Sequence, residues 1–244
     1  MTSDWFVPVQ LRMTREDFQK LPQHPAYRYD YTEGELHLSG CPVLRNCRIE
    51  TRQKWTASQE DHLTPLHLAV RGLQETPKDR VVELFRQAFR TSTPYCTLSS
   101  EKFEYAIQDH FQQVLSESSW PVVWEASHAV VHEETGEPVG VGLVTLVPSA
   151  NWSDFTDPRW QEPPPEKALE ARWGTPHLTW LFVSPDFQRC GIAAVLLSGI
   201  RKQLNRLGYP LLYSTVQVGD HGSQFWHWKQ GFELISSALT DSER

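Results

Sequence analysis

The chain has 244 residues, of which 39% are hydrophobic, and its formal net charge is −7. This length suits one large domain, or one of common size with an appendage, and the apolar fraction excludes a chain disordered as a whole. An acidic balance without a basic stripe disfavours nucleic-acid binding, which depends on neutralising phosphates, and weakly favours a cationic partner such as an amine.

Neither a targeting signal nor a membrane segment is visible. Residues 1–5 lack the basic and apolar regions of a signal peptide, and the longest apolar run, residues 192–197, is too short to cross a bilayer. Four cysteines in a chain of this length do not form a disulfide framework, and their spacing does not fit a zinc site. We therefore expect a cytoplasmic protein without a bound metal, in which four thiols stay reduced: Cys41, Cys47, Cys96 and Cys190.

Residues 1–62 are predicted to form a β-rich extension to a main domain at 63–244. Thr14 and Asp17 have capping-box spacing, which predicts a short helical turn. Tyrosines alternate with other residues over 27–31, a turn follows at 32–35, and Leu36 and Leu38 resume the alternation, so a β-hairpin is expected. The polar stretch 47–62 is interpreted as a connection.

From Pro65 the pattern becomes an α/β series. Residues 66–70 are typical of a strand, and a helix is predicted after Thr76, with threonine as the cap and Pro77 in the first turn. A second helix follows Ser99 or Ser100. Two β-rich runs, 122–132 and 139–147, are separated by a turn. The apolar stripes predicted to face the core are Val81, Leu84, Phe85, Ala88 and Phe89 on the first helix, and Phe103, Ile107, Phe111, Val114 and Leu115 on the second.

Residues 148–175, called the flap below, form a long segment without a strand or helix pattern. A loop of this length within a domain is usually functional or mobile. Its three tryptophans, Trp152, Trp160 and Trp173, argue against a free linker because each tends to bury a large area. A packed flap beside the active site is expected.

Residues 177–183 are predicted to be a short apolar strand, which leads through a tight turn at 188–193 into a helix that ends before Gly208. Free backbone N–H groups at such a helix start can hold an anion, and Gly191 and Ala193 leave room for it. The helix dipole contributes only about 0.3–1 kcal/mol, whereas each hydrogen bond to a charged group contributes about 1.5–3 kcal/mol. Several amides must therefore act together.

Residues 183–197, Val-Ser-Pro-Asp-Phe-Gln-Arg-Cys-Gly-Ile-Ala-Ala-Val-Leu-Leu, resemble the acetyl-CoA motif of the GNAT N-acetyltransferase superfamily. Lys229-Gln-Gly-Phe232 is similar to that family's Lys-x-Gly-Phe ending, and the order of elements from about Leu66 to Leu239 matches as well. The resemblance implies an α/β (α+β) fold. Its central sheet would be mixed but mostly antiparallel, contain a splayed strand pair and be flanked by helices.

The resemblance also implies the function. Acetyl-CoA would be the co-substrate, and its acetyl group would pass directly to a primary amine of a small molecule or a protein. The alternative is a non-catalytic module that binds acyl-CoA. The enzyme could also use a longer acyl-CoA, and it could form a homodimer. Neither nucleic acid nor a membrane is expected as a partner. The implied contacts are Leu181, Phe182 and Val183 with the pantetheine arm, and Gln188, Arg189, Cys190, Gly191, Ile192 and Ala193 with the pyrophosphate.

The proton-transfer groups are less clearly marked. His177 opens the predicted strand, where related enzymes carry a base, but it could equally support the site from a second shell. His227 occupies the position at which many members of the family carry a tyrosine that acts as the general acid. The ordinary pKa of a histidine, near 6.5, would suit a proton donor. Cys190 is interpreted as a spacer. Four flap carboxylates are further candidates for a base or a cation site: Asp154, Asp157, Glu162 and Glu166.

Overall fold

The structure is a computed structural model, which describes residues 9–21, 27–40, 44–52, 63–92, 95–115, 120–154, 156–217 and 220–235. Within these ranges the chain forms a three-stranded sheet near the N-terminus and a seven-stranded sheet. No helix in the described residues is both long and apolar enough to span a bilayer.

The small sheet has the order β1-β3-β2, from β1 (Val9–Arg12), β2 (Tyr27–Thr32) and β3 (Glu35–Gly40). The predicted hairpin is confirmed, since β2 and β3 pair in antiparallel register. Helix α1 (Arg15–Lys20) begins as its capping box predicts, because the Thr14 hydroxyl accepts from the Asp17 amide at 3.1 Å. The Tyr31 hydroxyl donates to the Met13 carbonyl at 3.0 Å, which ties the hairpin to the start of this helix.

The large sheet has the order β10-β4-β9-β8-β7-β6-β5, and every neighbouring pair is antiparallel except β8 and β9. This arrangement confirms the predicted fold class. The strands are β4 (Leu44–Glu50), β5 (Leu68–Gly72), β6 (His128–His132), β7 (Pro138–Val147), β8 (Thr175–Val183), β9 (Leu211–Gln217) and β10 (Glu233–Leu234). The helices are α2 (Lys78–Phe89), α3 (Ser100–Leu115), α4 (Ile192–Arg206) and α5 (His221–Gln230).

Helices cover both faces of the large sheet, and α2, α3 and α4 pack on it through their apolar stripes. On one face α2 and α3 bury residues such as Phe85 and Phe103 against β7 and β8. On the other face α4 lies on β7, where two glycines allow a close approach. A Cβ at Gly140 would stand 2.7 Å from Ile192 Cγ2, and one at Gly142 would stand 2.8 Å from Ile200 Cδ1. Side chains at these positions would force the start of α4 away from the sheet.

Strand β4 corrects the sequence interpretation. Residues 47–50 were predicted to be part of a connection, yet they belong to a strand between β9 and β10 in the large sheet. Alternate residues Cys47 and Ile49 are buried, while Arg48 and Glu50 are exposed. The charged outer positions made this strand look like a solvated linker. A strand that precedes the predicted boundary at residue 62 thus completes the main sheet, and residues 53–62 lie outside the described part of the chain.

Two further boundaries differ from the predictions. The residue before α2 is Pro77, with no side-chain cap, and the Thr76 hydroxyl is buried instead of capping the helix. The run predicted as a strand from residue 122 contains a 3₁₀ turn at Trp124–Ala126, and β6 begins only at His128. There the Ser127 hydroxyl accepts from the Val144 amide at 3.1 Å and donates to the Val123 carbonyl at 2.8 Å, which stabilises the turn.

The flap is held by its own side chains. The Asp157 carboxylate accepts from the Asn151 amide at 2.7 Å and pairs with Arg159 at 2.6 Å. Hydrogen bonds from the Arg159 side chain hold the pKa of Asp157 well below its usual range. The Trp160 indole donates to the Asp154 carbonyl at 2.9 Å. The described part of the flap is therefore folded, as its tryptophans suggest.

Candidate active site

The large sheet opens between β8 and β9. These two strands run parallel, and they pair only at His177 with Tyr213 and at Leu178 with Ser214. Beyond this point residues 180–183 remain paired with β7 alone. The predicted splayed pair is therefore present, and within the described part of the chain one edge of the C-terminal half of β8 has no strand partner.

A bulge marks the point where the two strands separate. Leu178 pairs with Val144 and Trp180 with Leu143, so Thr179 is the extra residue in β8. Leu178 packs in the core beneath α4, whereas Trp180 packs among α2 and α3. A bulge re-aims the chain and frees a residue from the ladder. It thus places an irregular piece of main chain at the vertex of the gap.

The turn that leads from β8 into α4 presents main chain to solvent. Arg189 and Gly191 have positive φ angles of 65° and 84°, and residues 188–191 are exposed. Among the described residues, no acceptor receives the amide N–H groups of residues 189–193. A Cβ built on Gly191 meets no atom of the described residues within 4 Å, so none of these residues fills the space next to it.

These features fit a diphosphate. The first turn of α4 carries no acidic side chain, and the N-terminal end of a helix attracts negative charge. Successive N–H groups in a turn with alternating left-handed residues form a concave anion site. The residues predicted to bind the pyrophosphate are therefore brought together at one exposed point, with the buried Ile192 able to offer only its main chain.

The three residues predicted to contact the pantetheine arm follow the bulge directly. The Phe182 side chain is buried, and its ring lies 5.3 Å from Phe85 and 5.7 Å from Phe89. Leu181 packs beneath α4, and Val183 packs with residues at the start of that helix. Because these side chains serve the core, their main chain along the free edge of β8 is what remains to meet a ligand.

His177 is half-buried, and both of its ring nitrogens have partners. Nδ1 lies 3.2 Å from the Thr179 hydroxyl, and Nε2 lies 3.1 Å from the Thr215 hydroxyl. Its ring also stacks against Trp152 of the flap at 5.7 Å. Burial lowers the pKa of His177 to about 4, since charging the ring would cost hydration. The imidazole is therefore neutral near pH 7.

His227 belongs to α5, on the opposite face of the sheet, and is the buried residue of that helix. Its Nε2 is 3.0 Å from the Ser214 hydroxyl, and its Nδ1 is 2.8 Å from the Ser223 carbonyl. Because a carbonyl only accepts, Nδ1 carries the proton and Nε2 accepts from Ser214. Burial lowers the pKa of His227 as well. Ser214 and Thr215 are adjacent in β9 and point to opposite faces, so each histidine approaches the vertex of the gap from its own side.

The remaining candidates are used elsewhere or stand apart. The Asp154 carboxylate accepts from the Thr156 amide at 2.8 Å, and Asp157 is engaged with Arg159, so both shape the flap. Glu162 and Glu166 are exposed. Cys190 is exposed too, with its thiol 3.7 Å from the Gln188 carbonyl, and within the described ranges it contacts no basic side chain.

Sequence reasoning missed the polar residues that surround the two histidines. The alternation of β9 could have predicted that Thr215 faces the same side as His177. No signal pointed to Asn46, which reaches the site from β4. The missed residues are Asn46, Thr145, Ser214 and Thr215, all of them hydrogen-bonded within the site.

The model of the acetyltransferase (GNAT) family matches residues 93–232. No curated protein matches the chain. A GCN5-related N-acetyltransferase from Sphaerobacter thermophilus aligns over 94% of this chain and 57% of its own length, with 15% identity and a TM-score of 0.47. The paiA N-acetyltransferase from Thermoplasma acidophilum, solved in complex with coenzyme A, aligns over 69% of this chain and 91% of its own, with 15% identity and a TM-score of 0.48.

A third structure, the aminoglycoside antibiotic 6'-N-acetyltransferase AAC(6')-Ih from Acinetobacter baumannii, covers 68% of this chain and 90% of its own length, with 11% identity and a TM-score of 0.43. The chain described here spans less than two thirds of the Sphaerobacter protein, since the alignment covers 57% of that protein's length.

Proposed function

Because this chain belongs to the GNAT acetyltransferase family, we propose that it transfers the acetyl group of acetyl-CoA directly to a primary amine of a small molecule or a protein. One observation carries the proposal. The amides of residues 189–193 have no acceptor among the described residues, and they follow directly on the strand whose edge is left free by the splay. A nucleotide diphosphate and an extended arm need these two features side by side.

In this proposal the diphosphate of CoA lies on the amides at the start of α4. Its pantetheine arm then follows the free edge of β8 at Leu181, Phe182 and Val183, and adds to the sheet as an extended strand would. The arm would point the thioester at the bulge around Thr179, where β8 and β9 meet. Positioning of this kind turns a bimolecular reaction into an effectively unimolecular one.

The amine nitrogen attacks the thioester carbonyl carbon, and the C–S bond then breaks to release CoA as a thiolate. A main-chain N–H near Leu181 or Phe182 would stabilise the oxyanion that forms between these two events. The amine loses one proton and the thiolate gains one, so the reaction is balanced without a further reactant. The two faces of the gap offer separate approaches for the amine and for CoA.

The roles predicted for the histidines remain part of the proposal. His227 would protonate the thiolate through the Ser214 hydroxyl only as an imidazolium, with Nδ1–H donating to the Ser223 carbonyl and Nε2–H donating to that hydroxyl. The hydroxyl would then pass its own proton to the thiolate, and His227 would return to the neutral form that its lowered pKa favours. The second proton on His227 would replace the one that the amine loses. His177 is a weak base with a pKa of about 4, and both of its nitrogens are engaged. Its surroundings favour the alternative raised from the sequence, a residue that supports the site without taking the proton itself.

Release of free thiol from acetyl-CoA, measured with a panel of small amines and amine-bearing peptides, tests the proposal. We expect turnover with at least one amine and calorimetric binding of CoA. Tight binding of CoA without turnover on any amine would favour the non-catalytic module. If CoA does not bind, both the acetyltransferase and the non-catalytic CoA-binding module are ruled out.

A further inference from the structure

A row of polar side chains crosses four strands of the large sheet beneath the flap. We call Asn46, Thr145, His177, Thr179 and Thr215 the polar row; they come from β4, β7, β8 and β9. The Thr145 and Thr179 hydroxyls lie 2.7 Å apart, and the Thr215 hydroxyl donates to Asn46 Oδ1 at 2.9 Å. Asn46 is only 4% exposed, and its Nδ2 donates to the Trp152 carbonyl at 2.8 Å. With His177 between the threonines, the contacts form one continuous chain.

The chemistry of each group fixes the direction of this chain from the flap inward. A carbonyl only accepts, so the amide nitrogen of Asn46 faces Trp152 and its oxygen faces Thr215. Thr215 donates its single hydroxyl proton to that oxygen. Thr215 can therefore only accept from His177, which places the imidazole proton on Nε2.

The other end of the chain follows from this assignment. Nδ1 of His177 carries no proton and can only accept. The Thr179 hydroxyl has one proton, which it can donate to this Nδ1 at 3.2 Å or to the His177 carbonyl at 3.3 Å. Thr179 is the bulged residue of β8, so the hydrogen bonds that begin at the flap end where the two strands separate.

Trp152 of the flap packs against the polar row. The Trp152 ring stacks on Tyr213 at 4.5 Å with an angle of 17° between the planes, and on His177 at 5.7 Å with an angle of 19°. The Trp160 ring meets Trp152 edge-on at 5.1 Å. Asn46 therefore holds the main chain of the same residue whose ring covers the histidine.

We propose that Asn46 is a positioning residue, which fastens the flap to the sheet and fixes His177 as its Nε2–H tautomer beside the bulge. Asn46 lies outside the residues that match the family model, 93–232, so strand β4 adds it to the site. The kinetic consequence rests on the proposed function, because the flap and the bulge would bound the acceptor side of the gap. The structural consequence does not depend on it.

The tautomer is tested without any substrate. Long-range ¹H–¹⁵N spectra of the full chain with ¹⁵N-labelled histidine, recorded near pH 7 and assigned with a His177→Asn variant, should show His177 as the neutral Nε2–H form. Thr215→Val keeps the shape of the side chain and removes the hydroxyl, so the signal should move to a mixture of tautomers. A charged or Nδ1–H form of His177 in the unmodified protein, or an unchanged signal in Thr215→Val, overturns the assignment.

The flap contact is tested with Asn46→Asp, which keeps the acceptor for Thr215 but loses the donor to Trp152. Amide hydrogen exchange in residues 151–154 should become about two- to tenfold faster, as expected for one hydrogen bond. Arg48→Gln, an exposed change on the same strand, should leave exchange unchanged. Equal exchange rates in Asn46→Asp and the unmodified protein overturn the proposal. Should Asn46→Asp not fold by circular dichroism, Asn46→Ser is measured in its place.

Kinetics separate this inference from the proposed function. Asn46→Asp should raise the KM for the amine about two- to tenfold while the Kd for CoA stays the same, because β9 separates β4 from β8 and the turn that would hold the diphosphate. A matching rise in the Kd for CoA would show a general loss of structure and contradict a positioning role. If no amine turns over in the unmodified protein, the proposed function fails, and the spectra and exchange rates still decide the role of Asn46.

Discussion

The start of α4 and the polar row under the flap are built in opposite ways. At the start of α4 the useful groups are main-chain amides, exposed and without acceptors among the described residues, and the side chains there stay out of the way. In the polar row the useful groups are side chains, enclosed and hydrogen-bonded to one another. The difference indicates two tasks. Exposed hydrogen-bond donors without acceptors are available to bind a ligand, whereas side chains that are fully hydrogen-bonded to one another hold their neighbours in place.

The largest effect is expected from filling the open place at the start of α4. Gly191→Val should weaken CoA binding about a hundredfold or more, because the new side chain would displace the diphosphate from several charged hydrogen bonds, each contributing about 1.5–3 kcal/mol. Calorimetric titration with CoA measures the loss.

The chain supplies a matched control for this change. Gly136 has a φ angle of 70°, close to the 84° of Gly191, and a Cβ at either position meets no atom within 4 Å. Gly136→Val therefore brings similar backbone strain in the hairpin turn between β6 and β7, where the new Cβ meets no atom of α4 within 4 Å. If both variants lose CoA affinity equally, strain and not the blocked site is responsible, and the diphosphate assignment is wrong.

The same contrast explains what the sequence could predict. The strand β8, its turn and α4 were predictable because their signals are local: an apolar run, a glycine at the turn and a helical stripe within about thirty residues. Asn46 was not predictable, since it meets Thr215 across 169 positions and sits in a strand with charged outer residues. The order of strands around β4 depends on such distant pairing.

Because the polar row encloses His177, it should change how the free energy of unfolding depends on pH. His177 has a folded-state pKa of about 4, against about 6.5 when unfolded, so between these values the unfolded chain binds a proton that the folded chain does not. Its contribution therefore favours folding above pH 6.5 and is lost as the pH falls toward 4, by up to about 3 kcal/mol.

Urea unfolding of the protein and of His177→Asn across pH 4–7 measures this effect. The pKa values of His110 and His227 are also lowered by burial, but these residues remain in both proteins, so the difference between the two curves isolates His177. Parallel curves would mean that His177 titrates normally and that the polar row does not enclose it.

A smaller effect is expected where the sheet supports α4. Gly140→Ala places a Cβ 2.7 Å from Ile192 Cγ2, and overpacking of this kind costs about 1–3 kcal/mol of unfolding free energy. The strain should also shift the start of α4 and weaken CoA binding. In a double-mutant cycle with Ile192→Ala the two losses should not add, because the second change removes the methyl group that clashes. Additive losses would mean that the destabilisation by Gly140→Ala does not come from the contact with Ile192.

The smallest effect is expected at Cys190, which lies in the CoA turn but offers it only main chain. Its thiol is exposed and lies 3.7 Å from the Gln188 carbonyl, and none of the residues that the structure describes gives it a basic partner that would activate it. Cys190→Ala should therefore leave both the Kd for CoA and the turnover number unchanged within about twofold, since the amide at 190 is kept. A large loss of turnover with unchanged CoA binding would instead indicate an acetyl-cysteine intermediate, and direct transfer to the amine would have to be abandoned.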